Sequence, residues 1–181
     1  MIKWLAAMAI ALASVMAGIT STMADADGLS EFVETYQCSL SGLIGKILDR
    51  DKRQEHGRFI ILGVRDSGAD YVQCHFGERD REALCEASSG WWNKHGPQPQ
   101  FTSIQLDALP KLGFSTDGSH GNFQDHLHFS SDGPEPDEVA RLMLKAVYQG
   151  YGARNGMPIE VTAPFALRHG FLPRQRCMAI S

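Results

Sequence analysis

The sequence predicts an α+β domain in which helices pack on an antiparallel sheet. The chain has 181 residues, of which 43% are hydrophobic and 21% are charged. This apolar share is enough for a folded core and excludes a disordered chain or a fibre. Amphipathic helix patterns alternate with short strand patterns, and tight turns join the first strands. We therefore expect a three-stranded meander plus one or two further strands, packed by helices.

The beginning of the chain, residues 1–26, has the pattern of a secretory signal peptide. Lys3 precedes an apolar run from Trp4 to Ile19, and small residues continue to Ala24-Asp25-Ala26. A short positive region, an apolar region and an Ala-x-Ala end are typical of a cleaved export signal. The apolar run is short for a spanning helix, which needs roughly 20 residues, and a retained anchor is the alternative. We expect cleavage after Ala26 and a periplasmic or secreted product without membrane association.

Leu29 to Leu48 is predicted to form the first helix. Apolar residues recur there at three- and four-residue steps, which makes one stripe along a helix. Glu31 and Glu34 lie in the first turn, where the helix dipole favours anions. The stripe is interpreted as core packing and comprises Phe32, Tyr36, Leu40, Leu43, Ile44 and Ile47.

Three strand patterns follow and predict the meander. Phe59 to Val64 is a continuous apolar run, which favours a strand covered on both faces. Tyr71 to Phe76 is the second strand, and its side chains point alternately to the two faces of the sheet. Ala83 to Ser88 is the third. The short polar turn at residues 77–81 makes these strands antiparallel neighbours.

A short helix and a fourth strand are predicted next. Thr102 or Ser103 can cap a helix that runs to Leu112. Apolar and polar residues then alternate from Phe123 to Ser130, as in a half-buried strand.

A final helix and a tail complete the predicted organisation. Pro136 suits the first helical position, and Gly150 and Gly152 end the helix that it opens. The α+β domain is expected to cover residues 27–153. Residues 154–181 are expected to be a C-terminal tail of mixed pattern, with Ile159 to Thr162 as a candidate for a further strand.

Three stretches of the predicted domain carry a resemblance to a known family. They are Tyr71–Phe76 (YVQCHF), Leu84–Gly90 (LCEASSG), and Leu106–Phe114 with the later Asn122-Phe123 pair. Together they resemble the type III secretion chaperone-like superfamily, in particular its Tir-chaperone-like and YbjN-like branches, over roughly residues 29–152. The resemblance implies an α+β domain that dimerises or binds extended protein segments and has no shared active site. The export signal, the cysteines and the long tail depart from the family pattern.

All four cysteines, Cys38, Cys74, Cys85 and Cys177, follow the predicted signal peptide. An even cysteine count in an exported chain predicts two disulfides, for which three connectivities are open. A zinc site is the alternative, but no Cys-x-x-Cys pair supports it.

Strand register favours one of these connectivities, Cys74 with Cys85 and Cys38 with Cys177. If Arg79-Asp80 is a two-residue turn, counting outward places Cys74 opposite Cys85, where a bond depends on the register. Cys38 lies off the apolar stripe of the first helix, so the tail that carries Cys177 can reach it.

Three histidines, His120, His126 and His128, are candidate metal ligands. His126 and His128 share one face of the fourth strand, and neutral imidazole binds zinc and copper. The simpler interpretation is the polar face of a half-buried strand, because no acidic or thiol partner lies at a recognised ligand spacing.

Catalytic patterns are weak throughout the sequence. Ser88 and Ser89 lack a Gly-x-Ser-x-Gly elbow, and Cys74 and His75 point to opposite faces of a strand. We therefore expect a non-catalytic exported binding module that needs no cofactor. The alternative is a small exported enzyme or metal-binding protein that uses the three histidines.

We expect a protein or peptide partner. A second copy of the chain is one such partner, so a homodimer is an alternative. Trp91, Trp92 and Phe101 are the candidate contacts, since aromatic residues dominate many interfaces. The net charge of −4 argues against nucleic acid, whose binding needs a dense positive surface.

Overall fold

The computed structural model describes residues 3–49, 57–64, 69–77, 82–91, 101–117, 119, 121–128, 135–164 and 166–177. Within these ranges the chain forms three helices and six strands. In chain order they are α1 (Lys3–Leu48), β1 (Phe59–Val64), β2 (Tyr71–Phe76), β3 (Glu82–Ala87), α2 (Ser103–Lys111), β4 (Phe123–His128), α3 (Pro136–Tyr151), β5 (Ile159–Ala163) and β6 (Leu167–Phe171).

The six strands form one antiparallel sheet in the order β4-β3-β2-β1-β5-β6. Strands β1 to β4 are a meander, and α3 then carries the chain back to the other side of β1, where β5 and β6 are added. The predicted α+β class is confirmed. The sheet extends the predicted β1–β3 meander by three strands rather than one or two. Residues 154–181, expected to be a tail with one candidate strand from Ile159 to Thr162, supply two of these three strands, β5 and β6.

One face of the sheet is buried under the helices, and the other is only partly covered. α3 contacts β1 and β2 and packs against α1, so the core lies between these helices and the sheet. The prediction that β1 is covered on both faces is wrong. Ile60, Leu62 and Val64 are buried, whereas Ile61 and Gly63 point to the opposite face and are half-buried.

α1 begins at Lys3 rather than at the predicted Leu29. No proline interrupts residues 3–48, and the alanines near their start favour a helix, so the backbone continues through the predicted signal region. The predicted stripe is buried except for Leu43, which is half-buried. Within the described ranges, no helix combines the length and the apolar character needed to cross a membrane.

The two shorter helices begin at the residues that the sequence indicates. Thr102 Oγ1 accepts a hydrogen bond from the Gln105 main-chain N–H at 3.3 Å, and Gln105 Oε1 accepts one from the Thr102 N–H at 2.8 Å. This reciprocal pair is a capping box for α2. Pro136 is the first residue of α3. The helices approach closely at Gly150, where an added Cβ would lie 2.8 Å from Leu109 Cδ2.

Two disulfides join the four cysteines in the pairs that the strand register favours. Cys74 and Cys85 are partners in the β2–β3 ladder, are fully buried, and have Cα atoms 4.0 Å apart. Cys38 and Cys177 have Cα atoms 5.2 Å apart and bond α1 to the segment that follows β6. The main-chain N–H of Gln175 also donates a hydrogen bond to α1 at 2.8 Å. The end of the chain is therefore attached to the first helix.

Candidate binding site on the open face of the sheet

The face of the sheet that points away from α3, which we name the open face, is lined by half-buried and exposed side chains. Strand register aligns them in rows across the sheet. In one row Gly63 pairs with Tyr71 on one side and with Glu160 on the other, and Glu160 pairs with Phe171. The described open-face residues are Phe59, Ile61, Gly63, Tyr71, Gln73, His75, Glu82, Leu84, Glu86, Gln124, His126, Glu160, Thr162, His169 and Phe171.

A second row contains a ladder of polar side chains across three strands. Gln73 Nε2 donates a hydrogen bond to Glu86 Oε2 at 2.5 Å, and Gln124 Nε2 donates one to Glu86 Oε1 at 3.2 Å. A carboxylate only accepts hydrogen bonds, so the nitrogen of each amide must face Glu86. The side-chain oxygen of Gln73 consequently remains an acceptor on the open face.

Tyr71 is fixed beside Gly63 by a buried asparagine. Asn122 Nδ2 donates to Tyr71 Oη at 3.1 Å, and Asn122 Oδ1 accepts from the main-chain N–H of Ser89 at 3.3 Å. Asn122 is almost fully buried, so its amide orientation is set by these two partners. The tyrosine ring therefore forms a stable wall on the open face.

A cavity of about 340 Å³ lies over Gly63. It exists because this position has no side chain: an added Cβ would find Glu160 Cβ at 3.8 Å and the main-chain oxygen of Asp70 at 4.0 Å as its nearest neighbours. The volume is at the small end of the range for ligand pockets. The lining residues are Ile61, Gly63, Val64, Asp70, Tyr71, Gln73, Glu160, Thr162 and His169.

The outer margin of the cavity belongs to β6, the edge strand of the sheet. Thr162 Oγ1 and His169 Nδ1 lie 3.1 Å apart and share a hydrogen bond, which ties β6 to β5 where the register shifts between Val161 and Ala163. Phe171, farther along β6, leaves 52% of its surface exposed. The cavity therefore extends across the sheet as far as β6.

The aromatic residues expected to contact a partner do not form one patch. Trp91 is 51% exposed. Phe101 instead packs in the core, with its ring centroid 5.9 Å from that of Phe123 and 5.5 Å from that of Tyr151. Trp92 lies outside the described residues. Neither Trp91 nor Phe101 lines the cavity.

The structure places two of the three candidate metal ligands, His126 and His128, on β4, and describes the side chain of His126 alone. His126 is exposed and pairs with Leu84, and His128 pairs with Glu82 in the β3–β4 register. His120 lies outside the described residues. Among the described residues, no three histidine, cysteine or acidic side chains are grouped as a metal site.

The two serines that follow β3 bond to neighbouring backbone. Ser88 Oγ accepts from the N–H of Gly90 at 3.3 Å, and Ser89 Oγ donates to the carbonyl of Gly121 at 2.6 Å. The hydroxyl of Tyr151 donates to the Ser88 carbonyl at 2.7 Å, and burial raises the pKa of Tyr151 far above its ordinary value. These hydroxyls hold the loop after β3 in place, which is a structural role.

Sequence reasoning missed the residues around the cavity. The sequence prediction assigns Glu160 and Thr162 to a candidate strand within the tail and does not single out His169. A signal was nevertheless present in Gly63, because an interior strand glycine often marks a close approach of a ligand or of another backbone.

No protein-family model matches the chain, and neither a curated protein nor a solved structure matches it. The protein can therefore be classified only by its fold and by the open face of its sheet. It is a small, disulfide-bonded α+β domain whose antiparallel sheet has one face packed by helices and a cavity on the other.

Proposed function

We propose that the protein is an exported, non-catalytic binding module that takes up an extended protein segment alongside edge strand β6. The observation that carries the proposal is the open face, which no described helix packs against and which reaches the sheet edge at the exposed Phe171. The resemblance to type III secretion chaperone-like domains, which bind extended segments, points in the same direction.

β6 is favoured over β4, the other edge of the sheet. Beyond β4, Ser115 bridges to Gln124 and donates its main-chain N–H to the Gln124 carbonyl at 2.7 Å, so part of that edge is already occupied. A segment added to β6 makes main-chain hydrogen bonds with the edge and sends alternate side chains to the two faces. One set of these side chains then passes over the open face.

Export is supported by the cysteines and by the first 26 residues. Both pairs of cysteines are oxidised, and disulfides persist mainly in the periplasm and outside the cell. The apolar run with its Ala-x-Ala end is the pattern that directs a chain there.

The proposal is tested by hydrogen exchange with an unfolded protein as probe. Reduced, carboxymethylated lactalbumin stays unfolded and provides extended segments. Native lactalbumin is folded, exposes no extended segment, and serves as the comparison probe. We expect the unfolded probe to slow amide exchange at residues 167–171, and Phe171→Lys to weaken its binding, because a lysine on an edge strand opposes strand addition. The matched control is Ile104→Lys on α2, which adds the same charge at a side chain that is 80% exposed.

Two results would contradict the proposal. One is unchanged exchange at residues 167–171 when the unfolded probe is present at saturating concentration. The other is equal loss of binding in Phe171→Lys and Ile104→Lys, which would indicate a general charge effect. Sedimentation equilibrium tests the homodimeric form, in which a second copy supplies the segment: Phe171→Lys should then also shift the protein to monomer.

A further inference from the structure

The two disulfides differ in their access to solvent. Cys74 and Cys85 are fully buried in the β2–β3 ladder, whereas Cys38 is half-buried and Cys177 is exposed. We propose that the Cys38–Cys177 bond is a site of thiol–disulfide exchange, at which an external thiol releases the end of the chain from α1. This inference goes beyond segment binding and does not depend on it.

An exposed disulfide and a buried one react through different states of the protein. Exchange requires a thiolate to approach one of the two sulfur atoms directly. Cys177 meets this requirement in the folded protein, since residues 173–177 are all exposed. Cys74 and Cys85 lie in two interior strands of the sheet, so a thiolate reaches their sulfur atoms only when the sheet opens. The Cys38–Cys177 bond should therefore be reduced while the sheet remains folded.

The surroundings of the bond indicate which sulfur atom the thiolate attacks. Cys38 is half-buried on α1, where its helical neighbours restrict the approach, whereas Cys177 is exposed. Arg174 and Arg176, both exposed, precede Cys177 in the chain and bring positive charge toward an approaching anion. Glu31 pairs with Arg176 at 3.8 Å, and among the described residues Arg174 has no ion pair. The attack is therefore placed at Cys177, with Cys38 as the leaving group.

The exchange consists of two substitutions at sulfur. The external thiolate attacks Cys177 Sγ and forms a new S–S bond there, and Cys38 leaves as a thiolate that takes a proton from water. A second external thiolate then attacks the external sulfur of this mixed disulfide, so that Cys177 leaves as a thiolate and is protonated in the same way. The two electrons that reduce the bond come from the two external thiols, which end as a disulfide.

Reduction of this bond removes the covalent attachment of residues 173–177 to α1. The polar attachments that remain are the main-chain hydrogen bond from Gln175 to α1 and the ion pair of Arg176 with Glu31. An exposed ion pair of this kind contributes little to stability. Leu172, in contrast, is buried and donates a main-chain hydrogen bond to β5 at 2.8 Å. The released segment should therefore begin after Leu172, and the sheet should keep all six strands.

The first experiment treats the exported, disulfide-bonded protein with reduced glutathione under native conditions. Samples are quenched at intervals with iodoacetamide, and peptide mapping identifies the state of each cysteine. We expect glutathione on Cys177 and the alkyl group on Cys38, while Cys74 and Cys85 stay bonded to each other. Reduction of Cys38–Cys177 should be at least about a hundredfold faster than that of Cys74–Cys85, because the buried bond reacts only through opening of the sheet.

The second experiment measures release of the chain end by hydrogen exchange after dithiothreitol has reduced Cys38–Cys177. The main-chain N–H of Gln175 should lose its protection, whereas that of Leu172 should keep it. The matched control is the variant Cys38→Ser/Cys177→Ser, which has no bond to reduce. In this variant Gln175 should exchange equally fast with and without dithiothreitol.

Three results would overturn the inference. Equal rates of reduction for the two bonds would show that exposure does not select the site of exchange. Glutathione on Cys38 instead of Cys177 would contradict the assigned point of attack. Unchanged protection of Gln175 in the reduced protein would show that the bond does not hold the chain end. None of these results affects the exchange of residues 167–171 in the presence of an unfolded probe, so the proposed function is tested separately.

Discussion

Replacing both Cys38 and Cys177 by alanine should lower the free energy of unfolding by about 3–5 kcal/mol. The disulfide spans 139 positions of the sequence, and the chain-entropy relation gives about 5 kcal/mol at 25 °C for a loop of that length. The same relation gives about 2.8 kcal/mol for Cys74–Cys85, which spans 11 positions. The difference arises in the unfolded state, because a longer closed loop removes more conformations from it.

The figure for Cys38–Cys177 is an upper bound because the end of the chain can detach in the variant. Residues 173–177 are exposed, and the remaining attachments are the Gln175 hydrogen bond and a surface ion pair between Arg176 and Glu31. An exposed pair of this kind contributes little. Detachment should stop at Leu172, which is buried and donates its main-chain N–H to the Ile159 carbonyl at 2.8 Å.

Urea denaturation under non-oxidising, non-reducing conditions measures this loss, with far-UV circular dichroism as the signal. The denaturant slope should rise in Cys38→Ala/Cys177→Ala, because an unfolded chain without the bond exposes more surface. Limited proteolysis should cut the variant after residue 172 and leave β6 intact. A stability loss below about 1 kcal/mol with an unchanged slope would refute the reasoning, since it would show that the bond does not restrict the unfolded chain.

Three further predictions concern the core and the beginning of the chain. Tyr151→Phe should cost about 1–2 kcal/mol at pH 8, because it removes the donor to the buried carbonyl after β3. Burial raises the pKa of Tyr151 in the folded state, so above pH 10 this tyrosine ionises only in the unfolded chain. The free energy of unfolding of the wild type should therefore fall by about 1.4 kcal/mol per pH unit relative to that of the variant. Urea titrations at pH 8 and 11 measure this change, and a constant difference would contradict it. Gly150→Ala should lower the free energy of unfolding by about 1–3 kcal/mol, because the added Cβ would lie 2.8 Å from Leu109. The control Gly45→Ala, whose Cβ meets nothing within 4 Å, should instead stabilise α1. Thermal unfolding of both variants measures these changes, and equal effects would count against the packing argument. N-terminal sequencing of the exported protein should begin at Asp27, and a membrane-bound product that retains the apolar run would refute cleavage.

The elements that the sequence predicted well are those with strict periodicity. The side-chain period of two, together with a two-residue turn, was enough to place Cys74 opposite Cys85, which is the observed register. The helix stripe from Phe32 to Ile47 was equally clear, because a period of 3.6 residues leaves few alternatives over such a length.

The cavity and its edge strand were not predicted. A strand is recognised in a sequence by the alternation of buried apolar and exposed polar side chains, and an edge strand need not show that alternation. β6, with its charged, imidazole and glycine positions Arg168, His169 and Gly170, shows no apolar alternation, as is common at a sheet edge. Gly63 stood inside a continuous apolar run, which resembles a strand covered on both sides. The arrangement of β5 next to β1 depends on a long-range crossover by α3, and local patterns do not encode it.

The bond between Cys38 and Cys177 also determines how mechanical force passes through the molecule. Tension applied at residue 27 and at the end of the chain runs along α1 to Cys38, across the two sulfur atoms and out through the residues after Cys177. All six strands lie inside the covalent ring and outside that load path. A molecule stretched between two anchor points would therefore keep its sheet, and the cavity on it, unstrained until a covalent bond broke.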